Sequence, residues 1–274
     1  TKAFKAHKAL DNVDITINKG SVYGLLGSNG AGKSTILRLL SGIYRQEGGE
    51  VLIEGKPVYD NVELKQRIFF INDETVQFTS YTLNDLKDLY KSYYPNFSEV
   101  IFEKLKTKIN LPTNRKISTF SKGMKRQAIF IIALACNTDY LLLDEAFDGL
   151  DPTMRIIVRQ MLVDAMIERN LTVVISSHNL KEMNDLCDTI GLLHNGKIIF
   201  SSELDNLKGD IHKLQLAFSD NTQEITREQL EETGLEILHF EKNMSVYHII
   251  VKGDIDTVKA AFAVKKPTIF DIVP

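Results

Sequence analysis

Apolar and polar residues alternate through Val13, Ile15 and Ile17, the pattern of a strand with one buried face. Asn18-Lys19-Gly20 then turns the chain, and Val22-Tyr23-Gly24-Leu25-Leu26 reads as a second, more buried strand. A Gly-rich loop follows, and apolar residues recur at helical spacing from Ser34 to Leu40. Glu50 to Glu54 predicts a short strand ending at Gly55. From about Thr82 to Ala135 the pattern is mostly helical, broken by Pro95, Pro112 and a polar stretch from Thr113 to Lys125. Tyr140 to Leu143 and Leu171 to Ile175 are largely apolar, as parallel strands covered on both faces are. Between them Asp151-Pro152 opens a helix, since Asp suits the cap and Pro the first turn. Asn195-Gly196, flanked by Ile190–Leu193 and Lys197–Phe200, signals a hairpin.

A composition shift near Asp205 marks a domain boundary, giving a larger domain over 1–204 and a smaller one over 205–274. The second predicts a strand (Lys213–Phe218), a helix (Arg227–Thr233), two strands (Leu235–Glu241 and Ser245–Lys252), a helix (Ile255–Val264) and a last strand (Thr268–Val273). Thr226 with Gln229 forms a capping box for the first helix, and Gly234 stops it. This βαββαβ order suits a small accessory α+β unit of the split βαβ kind.

Chemistry concentrates in the first domain. Gly27-Ser28-Asn29-Gly30-Ala31-Gly32-Lys33-Ser34-Thr35 matches the phosphate-binding loop pattern in full, after a strand and before a helix. Glycines let backbone N–H groups wrap phosphates at a helix N-terminus already poised for anions. Lys33 would reach the β- and γ-phosphates, and the Ser34 hydroxyl would ligate Mg²⁺. Tyr140-Leu141-Leu142-Leu143-Asp144-Glu145 then delivers two carboxylates at the C-terminal end of a buried strand, where α/β sheets bind ligands. Strand alternation sends adjacent side chains to opposite faces, so the pair divides its roles if the strand persists. Asp144 is assigned to the Mg²⁺ shell and Glu145 to the attacking water as general base.

Further motifs point to one family. Phe120-Ser121-Lys122-Gly123-Met124-Lys125-Arg126-Gln127 precedes the apolar stretch Ala128–Cys136 and resembles the signature of ATP-binding-cassette ATPases. Asp148-Gly149-Leu150-Asp151-Pro152 resembles the loop after their acidic pair, and Ser176-Ser177-His178 their switch histidine. The resemblance runs from about residue 4 to 204. It implies a P-loop NTPase of the cassette type: an α/β fold with a mixed sheet core and a helical subdomain at about 80–137.

It also implies a head-to-tail dimer, homo- or heteromeric, with MgATP held between the phosphate loop of one protomer and the signature of the other. Ser121, Lys122 and Gly123 would then act in trans, Asp151 would lie in the dimer loop, and His178 would contact the γ-phosphate. Phe4 matches the aromatic that stacks on adenine. Asp73 stands at the lobe junction where the family usually has Gln, and is counted with the metal shell. Lys122 replaces the first signature Gly, Met124 the usual Gln, and Ala146 a common Pro. These variants, with Tyr94-Pro95-Asn96-Phe97 and the C-terminal appendage, look like the subfamily serving bacterial antibiotic-resistance and bacitracin-type exporters.

Composition narrows the setting. Hydrophobic residues make up 43% and charged residues 25%, as in ordinary globular proteins, and 33 basic against 36 acidic residues leave a formal net charge of −3. That balance gives no reason to expect a nucleic-acid partner. The apolar run Ala128–Cys136 falls far short of the roughly 20 residues that cross a bilayer. A transport path must therefore come from a separate transmembrane permease. Cys136 and Cys187 have no metal spacing, and Thr1 to His7 carry no signal-peptide pattern, so a cytoplasmic place at the inner face of the membrane is expected. The expected function is ATP hydrolysis driving export of a small molecule, lipid or peptide. An importer subunit is the alternative, and a soluble cassette ATPase outside transport a more distant one.

Overall fold

The computed structural model describes residues 1–273 apart from 6, 73–77, 79, 185, 205–210, 218–225, 228–229, 231–234, 244–245 and 264–268. The chain folds as two units, Thr1–Ser201 and Ser202–Pro274.

The first unit is built on a six-stranded sheet ordered β10-β9-β3-β8-β7-β6. These strands are β3 (Val22–Leu26), β6 (Ile68–Ile71), β7 (Tyr140–Asp144), β8 (Thr172–Ser177), β9 (Thr189–His194) and β10 (Lys197–Glu203). Pairing is parallel from β9 through β3, β8 and β7 to β6. β10 returns beside β9 through Asn195-Gly196, the hairpin that the sequence announces. Residues of β3, β7 and β8 are buried almost throughout, which explains their unbroken apolar runs.

Helix α1 (Lys33–Leu40) packs its Ile36, Leu37 and Leu39 into the core under the sheet, with Tyr23, Leu142 and Val174. Leu37 is fully buried, which contributes about 1.5–3 kcal/mol. Val13, Ile15 and Ile17 pack half-buried against the same core, but the segment joins no sheet. The strand expected there is absent. Two short hairpins flank the unit: β1 (Lys2–Phe4) with β2 (His7–Leu10), and β4 (Leu52–Ile53) with β5 (Lys56–Pro57). A single turn of helix, α2 (Val62–Lys65), precedes β6.

The helical region contains α3 (Leu83–Tyr93), α4 (Glu99–Ile109) and α5 (Lys122–Ala135). Thr82 and Asp85 form a capping box at α3, and Ser98 caps α4. α5 is buried almost all round from Ala128 to Ala135, so it threads the interior rather than lying on the surface. α6 (Pro152–Arg169) and the short α7 (Leu180–Asn184) complete the unit.

The second unit carries a four-stranded sheet ordered β12-β13-β11-β14, antiparallel wherever its register is defined. Its strands are β11 (Ile211–Ala217), β12 (Glu236–Asn243), β13 (Val246–Lys252) and β14 (Ile269–Val273), with α8 (Ile255–Ala263) between the last two. Leu214 and Leu216 alternate along β11, and Tyr247, Ile249 and Val251 along β13, burying one face with Val258 of α8. The expected cap Gln229 and stop Gly234 lie outside the described residues.

Candidate active site

The parallel register gathers the chemistry at one end of the sheet. Leu26 pairs with Ser177, and Asp144 pairs with Ser176, so β3, β7 and β8 end at the same level. The loop from Gly27, the acidic pair and His178 therefore leave adjacent strands side by side. The Gly27 N–H donates to the Ser177 carbonyl at 3.3 Å, which fixes the start of the loop.

Gly32 caps α1 with φ +111, a conformation that a side chain would strain. An added Cβ there would sit 2.9 Å from the Ala9 carbonyl, so the β1–β2 hairpin also demands a glycine. Lys33 is 4% exposed, and its Nζ donates to the carbonyls of Gly27 at 2.8 Å and Ser28 at 3.1 Å. The loop thus curls around the ammonium, and Glu145 Oε1 stands 3.4 Å from the same Nζ.

The acidic pair departs from strand geometry. β7 stops at Asp144, and Glu145 takes the left-handed conformation with φ 46. This kink replaces strand alternation, and both residues line one cavity. The Asp144 carboxylate, buried, accepts the Ser176 hydroxyl at 2.6 Å. The Glu145 N–H donates to that hydroxyl at 3.1 Å and to the Ser176 carbonyl at 3.3 Å. His178 Nδ1 lies 3.8 Å from Glu145 Oε1.

The cavity, about 470 Å³, is lined by phosphate-loop residues Asn29, Gly30, Gly32, Lys33, Ser34 and Thr35, by the acidic pair, and by Phe4, His7 and Ala9. Ser28 and Ala31 serve the loop instead: the Ala31 N–H closes a turn onto the Ser28 carbonyl at 3.1 Å. Phe4 is half-exposed, with its ring edge-on to Tyr44. His7 is directly opposite Phe4 in the β1–β2 register, so the two side chains share a face. Sequence reasoning missed His7. The signal was present in the two-residue spacer between Phe4 and His7, which a tight hairpin turns into an opposed pair.

Ser121, Lys122 and Gly123 do not line this cavity. Ser121 caps α5, accepting the Met124 N–H at 3.2 Å. Gly123 approaches Gly149 so closely that a Cβ would sit 3.2 Å from its carbonyl. Asp151 caps α6 by accepting the Met154 N–H at 2.9 Å. Asp73 lies outside the described residues. Both cysteines are buried, and desolvation pushes the Cys187 thiol up to about 12, so neither offers a nucleophile.

The sequence profile of ABC transporters matches residues 10–148. The chain belongs to this family. It is 30% identical to the ABC transporter ATP-binding protein YtrB of Bacillus subtilis (strain 168), over 100% of this chain and 92% of that protein. It is also 30% identical to the bacitracin transport ATP-binding protein BcrA of Bacillus licheniformis, over 82% of this chain and 75% of BcrA. The solved ATP-binding subunit of an ABC transporter superimposes with a TM-score of 0.68 and 25% identity, covering 75% of this chain and 88% of the other. The fold is thus that of an ABC ATPase, and the chain is an ATP-hydrolysing subunit of the kind found in transport systems. Among the described residues no helix is long and apolar enough to cross a membrane.

Proposed function

We propose that this ABC subunit binds MgATP in the described cavity, closes on a second cassette, and drives export through a separate membrane permease. The observation that carries the reading is the composition of the cavity. It gathers the phosphate loop, two carboxylates and an aromatic, while the signature residues stand elsewhere on the same chain. A second protomer is the natural source of a signature. The likeness to BcrA, a bacitracin transport protein, supports transport, and the signature variants Lys122 and Met124 together with the C-terminal unit carry the reading of export.

Each residue then has a defined task. The backbone N–H groups of residues 29–32 wrap the β-phosphate, and Lys33 neutralises the β- and γ-phosphates. Phe4 stacks on the adenine. Ser34 and Asp144 offer hard oxygen donors within one cavity, a set suited to Mg²⁺. When bound, the ion neutralises phosphate charge. Glu145 takes a proton from the attacking water, and His178 orients on the γ-phosphate of the nucleotide held by its own loop. Ser121 and Gly123 meet that phosphate from the partner, with Asp151 in the loop that the partner covers. Asp73 joins the metal shell.

Complementation tests the composite site. Lys33→Ala and Ser121→Arg should each inactivate a dimer of identical chains. In a mixed dimer both lesions fall in one site, so the other regains an intact phosphate loop and signature. ATPase activity should return in proportion to mixed dimers. A tandem fusion carrying both changes in one half should stay inactive. Absence of recovery on mixing would assign each site to a single chain. Direction is tested by reconstituting the subunit with its permease in vesicles and following the side on which bacitracin-like peptides accumulate.

A further inference from the structure

Glu182, on α7, has a side chain only 11% exposed and sits between two elements of the site. Its Oε1 accepts from Arg155 Nη1 at 2.7 Å, and its Oε2 accepts from the Ser177 hydroxyl at 2.8 Å. Its backbone carbonyl accepts from Arg159 Nη2 at 3.2 Å. Arg155 extends the path, since its Nε donates to the Leu150 carbonyl at 3.1 Å. At the other end Ser177 Oγ accepts the Asn179 N–H at 3.0 Å, closing the turn that carries His178. Asn179 Oδ1 in turn accepts the Lys181 N–H at 3.0 Å. Three side chains thus join the loop at 148–151 to the His178 turn.

The Glu182 carboxylate loses most of its hydration while the Arg155 side chain stays about a third exposed, and apolar packing between α6 and α7 could hold the helices at least as well. What the charged hub supplies is direction. Charge-assisted hydrogen bonds fix angles as well as distances, and here both carboxylate oxygens are used. The two ends of the path also border the chemistry. Glu145, Asp148 and His178 bring ligating atoms within 4.8 Å of one another, so a small rotation of the His178 turn changes their spacing.

We propose that Glu182 is a positioning residue for His178, making its orientation depend on the conformation of the loop at 148–151. The inference rests on the proposed function, in which that loop meets the second protomer and His178 acts on the γ-phosphate. Docking of the partner shifts the Leu150 carbonyl, Arg155 follows it, and Glu182 delivers the shift to Ser177 and the imidazole. The phosphate loop is bypassed, so nucleotide affinity stays as it was while turnover becomes conditional on the dimer.

The test uses the full chain, with steady-state ATPase, equilibrium MgATP binding and thermal melting on each variant. Glu182→Gln and Ser177→Ala should each lower kcat about tenfold or more, with KM and MgATP affinity within about twofold of wild type. The double variant should be no slower than the slower single, because both cut one path. Ser177→Thr keeps the hydroxyl and should recover most of the loss. His178→Ala is the reference and should be close to inactive. If His178→Ala is inactive while Glu182→Gln and Ser177→Ala turn over at wild-type rate, the coupling is wrong and the site reading stands. Losses that multiply in the double variant, or a Ser177→Thr chain as slow as Ser177→Ala, overturn it too. A His178→Ala chain at full rate removes the site reading and the coupling together. Should Glu182→Gln melt early, the Ser177 pair carries the test alone.

Discussion

Ser176 lies directly across the parallel register from Asp144 and donates its buried hydroxyl to Asp144 Oδ1 at 2.6 Å. The same hydroxyl oxygen receives the Glu145 N–H at 3.1 Å, so one serine holds both members of the acidic pair. Hydrogen bonds to charged groups are worth about 1.5–3 kcal/mol. Ser176→Ala should therefore lower unfolding free energy by about that amount, as read by urea denaturation. It should also raise the Mg²⁺ concentration needed for half-maximal ATPase, because Asp144 loses its fixed orientation. An unchanged Mg²⁺ dependence would detach Ser176 from the metal shell.

Glu145→Gln keeps the shape of the side chain and removes its basicity. MgATP binding should persist, while kcat falls by a factor of about 10²–10⁴. Gel filtration with ATP should then show an accumulated dimer. Normal turnover by this variant would mean that another group takes the proton.

His7 faces the cavity beside Phe4. Removing it should weaken nucleotide binding without slowing chemistry. His7→Ala is expected to raise KM for ATP several-fold at constant kcat, and Phe4→Ala to raise it by about tenfold or more, since stacking is worth about 1–3 kcal/mol per base. An equal loss of affinity for inorganic triphosphate in both variants would show contact with the phosphates rather than the base.

Much of this site is legible in the amino-acid order because it is local. The phosphate loop, its helix and the buried strand ending in two acids are each contiguous, and their physics needs no distant partner. The failures have a common cause. Val13, Ile15 and Ile17 alternate because one side packs on the core, yet alternation reports burial and not pairing, and among the described residues no strand pairs with them. Asp144 and Glu145 share a cavity because the strand ends between them, a break that an apolar run followed by two acids does not encode. Ser176 and Glu182 are ordinary polar residues until the sheet register and α7 bring them to Asp144 and Arg155.

Outside the cavity lined by the phosphate loop, Arg67 grips Glu54 with two nitrogens at 3.0 Å, while Lys19 and the Tyr140 hydroxyl approach the same carboxylate. The Arg67 bonds chiefly, then Lys19 and Tyr140, hold the Glu54 carboxyl down at about 2 against an ordinary value of 4.5. A folded-state value below the unfolded one means stabilisation that is fully present above pH 4.5 and lost as pH falls toward 2. Glu54→Gln should accordingly melt below wild type at pH 7, with the gap closing in acid across that window. A gap independent of pH would assign the difference to packing.

The left-handed backbone at Glu145 has a consequence for the protein's durability. Glycine reaches that conformation freely, whereas other L-residues incur about 1–2 kcal/mol of steric strain. Glu145→Gly would release that strain but leave the buried Lys33 ammonium without the carboxylate 3.4 Å away, so a screen for heat resistance that never asks for turnover should not enrich the change. A twisted backbone is tolerated here because the side chain it carries offsets a neighbour's charge, and ruggedness and reactivity are served by the same carboxylate.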